Sequence, residues 1–119
     1  MAAMESGPAE LVGRMRREAL EYCALGLLRE GERGAFELVR ELGSAGLAER
    51  EGPVYPLLAR MRHEGLVVTT WREAEAGRSS RYYRITEEGV AALDEFQQQW
   101  VDFRTRVDTL LGTGEAAGP

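Results

Sequence analysis

The sequence contains no lysine and no asparagine, and it has one cysteine and one histidine. A lone Cys23 excludes an internal disulfide, and His63 without a second histidine or cysteine nearby excludes the usual ligand cluster of a structural metal site. Cys23 is better explained as a small buried residue on an apolar helix face than as a redox group. No apolar run approaches the length that crosses a bilayer, and the N-terminus lacks the apolar core of a signal peptide, so a cytoplasmic location without a membrane partner is expected. No nucleophile, base and orienting group can be assembled around His63, so neither an enzyme with catalytic residues nor a bound cofactor is expected.

The chain that remains is 119 residues long and 44% hydrophobic, enough for one folded domain with one core. Its formal charge of −5 argues against a nucleic-acid partner as long as charge is taken as a whole-chain property. The distribution of that charge argues the other way. Residues 1–49 carry six Arg against nine Glu, residues 50–86 seven Arg against four Glu, and residues 87–119 two Arg against seven acids. Positive charge gathers in the middle segment.

That segment opens with GPVYPLLARMRHEGL, Gly52 to Leu66. Val54, Leu57, Leu58 and Met61 fall at i, i+3, i+4 and i+7, one apolar stripe of a helix. Pro53 and Pro56 must lie at or near the first turn, since a deeper proline would lose a backbone bond. Gly65 supplies a left-handed stop, and Leu66 can fold back on the last turn. Opposite the stripe lie Gly52, Pro56, Ala59 and His63, with Tyr55, Arg60 and Arg62 on the shoulders. Small residues in the middle and Tyr and Arg at the sides suit a helix set deep in the major groove of double-stranded DNA.

Residues 1–10 show no periodicity and are expected to be a disordered lead-in. A helix starts at Leu11, with Leu11, Met15, Ala19, Tyr22, Leu25, Leu27 and Leu28 keeping a helical apolar face. Its Arg14, Arg16 and Arg17 are better explained as a solvated face than as phosphate contacts. After Gly31, a second helix runs from about Gly34 to Leu42 with Phe36, Val39 and Leu42 inward. Three short helices with glycine breaks match a helix-turn-helix. Beyond Gly65 the period changes to two: Leu66 to Glu73 and Arg81 to Thr86 are expected strands, joined by AEAGRSS. This two-stranded wing would place Arg78, Ser79, Ser80 and Arg81 at its tip, suited to phosphate or minor-groove contact. Trp71, Tyr82 and Tyr83 are expected to serve hairpin packing. Residues 11–86 thus form one DNA-binding unit.

Thr86 is a good N-cap, and Glu87 and Glu88 suit the first turn of a last helix, residues 87–111. Leu93, Phe96, Trp100, Phe103, Val107 and Leu110 are spaced 3, 4, 3, 4, 3, a heptad seam somewhat under three heptads long. A small domain with matched apolar faces leaves this seam in need of a partner, so a homodimer is expected through this helix, with help from the first. Residues 112–119 are expected to be a disordered tail. The fold class is therefore mainly α with a small β-hairpin: a winged helix-turn-helix plus a C-terminal dimerisation helix.

In YCALGLLREGERGAFELVREL, GPVYPLLARMRHEGLV and WREAEAGRSSRYYRITEEGVAAL the chain resembles the PadR family of bacterial transcriptional repressors, in particular its small members with a single C-terminal helix. The resemblance runs from about Ala19 to Leu93. It implies a dimer that binds a palindromic operator, represses a nearby gene and releases DNA when a signal such as a small molecule arrives. By position it implies that Tyr55 touches phosphate or base and that Arg78 and Arg81 are wing contacts. Two hydroxyls common in the family are missing, because Pro53 stands where a Thr is usual and Ala35-Phe36 where a Gly-Tyr pair is usual. Some similar small members hold flat aromatic compounds between stacked tryptophans at the dimer interface. Trp100 lies on a similar helix, so the resemblance implies a small aromatic effector beside Trp100, Phe96 and Phe103, with Tyr22 and Arg104 as further candidates. Plain dimer core is the competing explanation of Trp100. A protein-interaction module on the same scaffold is the competing function, left open by the acidic flanks around a modest basic centre.

Overall fold

Four helices and three strands follow one another in the computed structural model, which describes residues 7–48, 50, 52–73 and 79–114. They are α1 (Pro8–Glu30), β1 (Arg33–Gly34), α2 (Ala35–Ser44), α3 (Val54–His63), β2 (Val67–Glu73), β3 (Ser79–Ile85) and α4 (Glu87–Leu111). The first helix begins three residues earlier than Leu11. Pro8 has no N–H to leave unpaired in the first turn, and Glu10 faces the positive end of the helix dipole. Residues 8–10 of the expected lead-in are therefore helical, while residues 1–6 lie outside the described residues. So do residues 115–119 of the expected tail.

The core draws on every helix and on β2 and β3. Leu20, Ala24, Leu25 and Leu28 of α1 meet Leu38 and Leu42 of α2, the α3 stripe, Val67 of β2, Tyr83 of β3 and Leu93 of α4. In α3 the four stripe residues Val54, Leu57, Leu58 and Met61 are all buried, as their spacing demands. In α2 the inward pair is Leu38 and Leu42, and Phe36 corrects the expectation: its side chain is 66% exposed. With Leu38 turned inward, Phe36 lies two residues away, about 200° around the axis at 3.6 residues per turn. Its ring meets the Arg40 guanidinium instead, 6.0 Å from the centroid.

The sheet has one strand more than the expected hairpin, in the order β1-β3-β2, all antiparallel. Strand β1 pairs Gly34 with Tyr82 and Arg33 with Tyr83. Two residues are too few for an alternation to show in sequence. What holds them is Arg33, whose guanidinium donates to the carbonyls of Leu27 and Gly31 at the end of α1 and to Glu41 of α2. The β2–β3 register runs from Val67 opposite Ile85 to Glu73 opposite Ser79, so Ser79 and Ser80 belong to the strand.

The end of α3 and the start of α4 are one joint. Gly65 takes φ 80°, Leu66 N–H donates to Met61 O at 3.0 Å and Gly65 N–H to Arg62 O at 3.1 Å. This is the paired ending that a left-handed glycine permits. Thr86 then donates its hydroxyl to Gly65 O at 2.7 Å and accepts from Gly89 N at 3.0 Å, capping α4 while holding the exit of α3. A Cβ on Gly89 would stand 2.3 Å from Leu66 O, so the close approach requires glycine. Beyond Leu93 no residue of α4 is fully buried, and the long helix stretches the molecule to 54 × 39 × 25 Å. Among the described residues no helix is long and apolar enough to cross a membrane.

Candidate nucleic-acid interface

With its stripe sunk in the core, α3 turns Pro56, Ala59 and His63 outward, all exposed. Proline and alanine carry little bulk, which leaves the backbone of this face open to close approach. The shoulders differ. On one, Tyr55 is 44% exposed and, with Arg62, lies near Tyr83 of β3. Burial pushes the Tyr83 phenol above its ordinary range, the positive charge of Arg62 pulls it down, and Tyr55 pushes it up. On the other shoulder Arg60 reaches α1. Its Nη2 and Nε donate to Glu21 Oε1 at 2.9 and 3.3 Å. That hydrogen bond and the charge of Glu21 hold the guanidinium pKa up against some desolvation, with Glu64 and Glu18 adding to it.

On the wing, Trp71 and Arg81 face each other across β2 and β3. They share the sheet face of Val67 and Tyr83, Trp71 lying four residues from Val67 and Arg81 two from Tyr83. The Arg81 guanidinium lies 4.7 Å from the Trp71 centroid, and its Nη1 donates to Thr69 Oγ1 at 3.3 Å. Trp71, expected as hairpin packing, packs across the hairpin on Arg81 and is 63% exposed, because this end of the face extends past the core. On the opposite face Arg72 lies over Tyr82 and pairs with Glu32. Arg84 is exposed. Of the four residues expected at the tip, Ser79, Ser80 and Arg81 lie in β3, with Arg81 two residues into the strand. Arg78 lies outside the described residues.

The heptad residues divide. Leu93 is buried in the protomer's own core, since the first turns of α4 pack against α1 and β3. It is therefore core rather than seam. The others lie further along the helix: Phe96 and Val107 are partly buried, while Trp100, Phe103 and Leu110 are exposed, Leu110 by 88%. Tyr22 of α1 lies flat on Phe96, centroids 4.3 Å apart and planes at 3°. Phe96 and Trp100 are nearly parallel at 6.3 Å, and Phe103 continues the column at 6.3 Å and 44°. Arg29 fastens α1 to the same helix through Asp94 at 2.6 Å and Gln97 at 3.2 Å. Arg104 is exposed. Burial pushes the Cys23 thiol pKa up, away from the reactive thiolate.

Two contacts are not among those expected from sequence. One is the α1 end of the Arg60 contact, although it carries a signal: Glu21 stands three, four and seven residues before Ala24, Leu25 and Leu28, an acid in a buried stripe that must find a cation. The other is the Trp71–Arg81 pair, which follows once the register aligns them.

Residues 24–95 match the transcriptional regulator PadR-like family. A transcriptional regulator of Mycobacterium tuberculosis is 41% identical over 81 residues, covering 68% of this chain and 73% of that protein. The crystal structure of a PadR-like transcriptional regulator from Bacillus cereus superposes with a TM-score of 0.76 at 37% identity, covering 86% of this chain and 99% of that one. A PadR family transcriptional regulator from Eggerthella lenta gives 0.77 at 31% identity, covering 89% and 93%.

Proposed function

The chain belongs to the PadR-like family of transcriptional regulators, and from that premise we propose that it is a sequence-specific, homodimeric DNA-binding repressor. The outer face of α3 is the observation that carries this reading. Its four apolar residues are all buried, which commits Pro56, Ala59 and His63 to the outside with Tyr55 and Arg62 beside them. Such a face enters the major groove, and the wing reaches the flanking backbone through Ser79, Ser80 and Arg81, with Arg78 next in sequence.

A second copy of the chain is the partner that best explains the uncovered apolar surface. Leu11, Val12 and Met15 of α1 and Trp100, Val101, Phe103, Leu110 and Leu111 of α4 are exposed, and monomers rarely leave so much apolar surface in contact with water. Two copies joined there would present two reading helices to a palindromic operator. A flat aromatic effector is the signal that fits the Tyr22–Phe96–Trp100–Phe103 column, with Arg104 available to an acidic group. Release then requires that the compound bind the DNA-free form more tightly than the DNA-bound one.

The test is fluorescence anisotropy of duplex DNA from the chain's own upstream region, titrated at several salt concentrations. Repressor binding should weaken steeply with salt as phosphate contacts release counterions, and Tyr55→Ala should weaken it without dissociating the dimer. Flat or absent salt dependence would favour a protein-interaction module.

A further inference from the structure

Consecutive residues of a helix point about 100° apart, so one turn of α1 can hold two different neighbours. Glu21 and Tyr22 do so. Glu21 is 8% exposed in a stripe of core residues, and a carboxylate in that setting needs a paired, hydrogen-bonded cation. Its cation is Arg60 of α3, 39 residues away. Tyr22 lies flat on Phe96 of α4. Arg60 has two more carboxylates near it, Glu18 of α1 and Glu64 at the end of α3. Pairing with a buried carboxylate compensates the Arg60 charge inside the protein, which weakens its pull on a DNA phosphate.

We propose that Glu21 is a positioning residue for the reading helix: its pairing with Arg60 clasps α3 to α1, withdraws Arg60 from the residues that touch DNA, and ties α3 through the adjacent Tyr22 to the aromatic column of α4. The proposal rests on the DNA-binding reading above. It gives Arg60 a role opposite to that of Arg62, although both stand on the shoulders of the same helix. It also makes the α1 turn at Glu21 and Tyr22 the place where a shift in the column reaches α3.

The experiment compares the full chain with Glu21→Gln, Arg60→Gln, the double variant, and the charge swap Glu21→Arg with Arg60→Glu. Operator affinity is followed against salt, and thermal unfolding is recorded for each. Each single change should weaken binding by roughly three- to tenfold with an unchanged salt slope, the scale of a partly exposed pair. The double variant should lose no more than either single one, and the swap should recover most of the loss. If Glu21→Gln tightens binding, or Arg60→Gln lowers the slope by about 1, Arg60 contacts phosphate and the clasp is overturned. Should the swap fail to fold, additive losses in the double variant overturn the proposal by themselves. Tyr22→Leu should weaken binding in the parent and add nothing in Glu21→Gln; equal effects in both backgrounds remove the link to α4. A parent chain without salt-dependent binding instead overturns the DNA-binding reading, and the pairing is then decided by whether the same variants couple in melting temperature.

Discussion

The two shoulders of α3 each carry an arginine, two residues apart, in opposite surroundings. Arg60 meets Glu21 at 2.9 Å with Glu18 and Glu64 close by. Arg62 lies on the side of Tyr55 and Tyr83, where its charge lowers the pKa of the Tyr83 phenol. A guanidinium surrounded by carboxylates has its charge compensated inside the protein, whereas one beside neutral hydroxyls keeps its charge for an outside anion. Position on a helical wheel therefore does not decide what an arginine does. The element packed against that side of the helix does.

The largest expected effect breaks both shoulders together. Met61 is fully buried beneath them, and Met61→Ala should cost about 2–5 kcal/mol in urea unfolding, as truncations in close-packed cores do. A loss well below this would mean that the floor of α3 relaxes around the cavity and that the shoulders do not share a rigid base. Next in size is Arg62→Gln, which should lower the salt slope of operator binding by about 1 while changing stability by no more than about 0.5 kcal/mol. An unchanged slope would make the two arginines equivalent and erase the contrast.

The smallest effect sharpens the sheet side. Tyr83→Phe removes the hydroxyl of a buried core tyrosine near Arg62 and should cost no more than about 1.5 kcal/mol at neutral pH. The sign of its pH dependence follows from a phenol pKa raised in the folded state. The folded chain holds that proton more tightly, so the associated stability is present below the ordinary tyrosine pKa of 10.0 and is lost as pH rises through the raised value. Thermal melts at alkaline pH should therefore fall less steeply for Tyr83→Phe than for the parent. Tyr22, whose pKa is also raised, first by burial and then by Glu21, Glu64 and Glu95, leaves a residual slope in both.

Much of the reading face is legible in the residues alone. The α3 stripe, the Gly65 stop, the Thr86 cap and the strand pairing of β2 with β3 follow from spacings of a few residues. Phe36 is not placed by spacing, because apolar residues three apart fit two overlapping stripes, and which of them turns inward depends on what α2 packs against. Leu93 fits the seam in sequence and the core in the fold, because a heptad pattern does not say which of its members the protomer's own core takes first. Strand β1 leaves no pattern to read, because its two residues are held by Arg33 bonds to α1 and α2 rather than by their own side-chain alternation.

Residue spacing alone places the four helices, the Gly65 stop, the Thr86 cap, the hairpin and the outward face of α3, because these depend on backbone bonds and side-chain contacts within about one turn or one strand pair. Tertiary structure decided which arginine is already paired, which tyrosine stacks on which ring, and how α4 is joined to α3 through Thr86 and Gly89. Those outcomes join residues from about 20 to more than 70 positions apart, and they depend on which helix faces pack together.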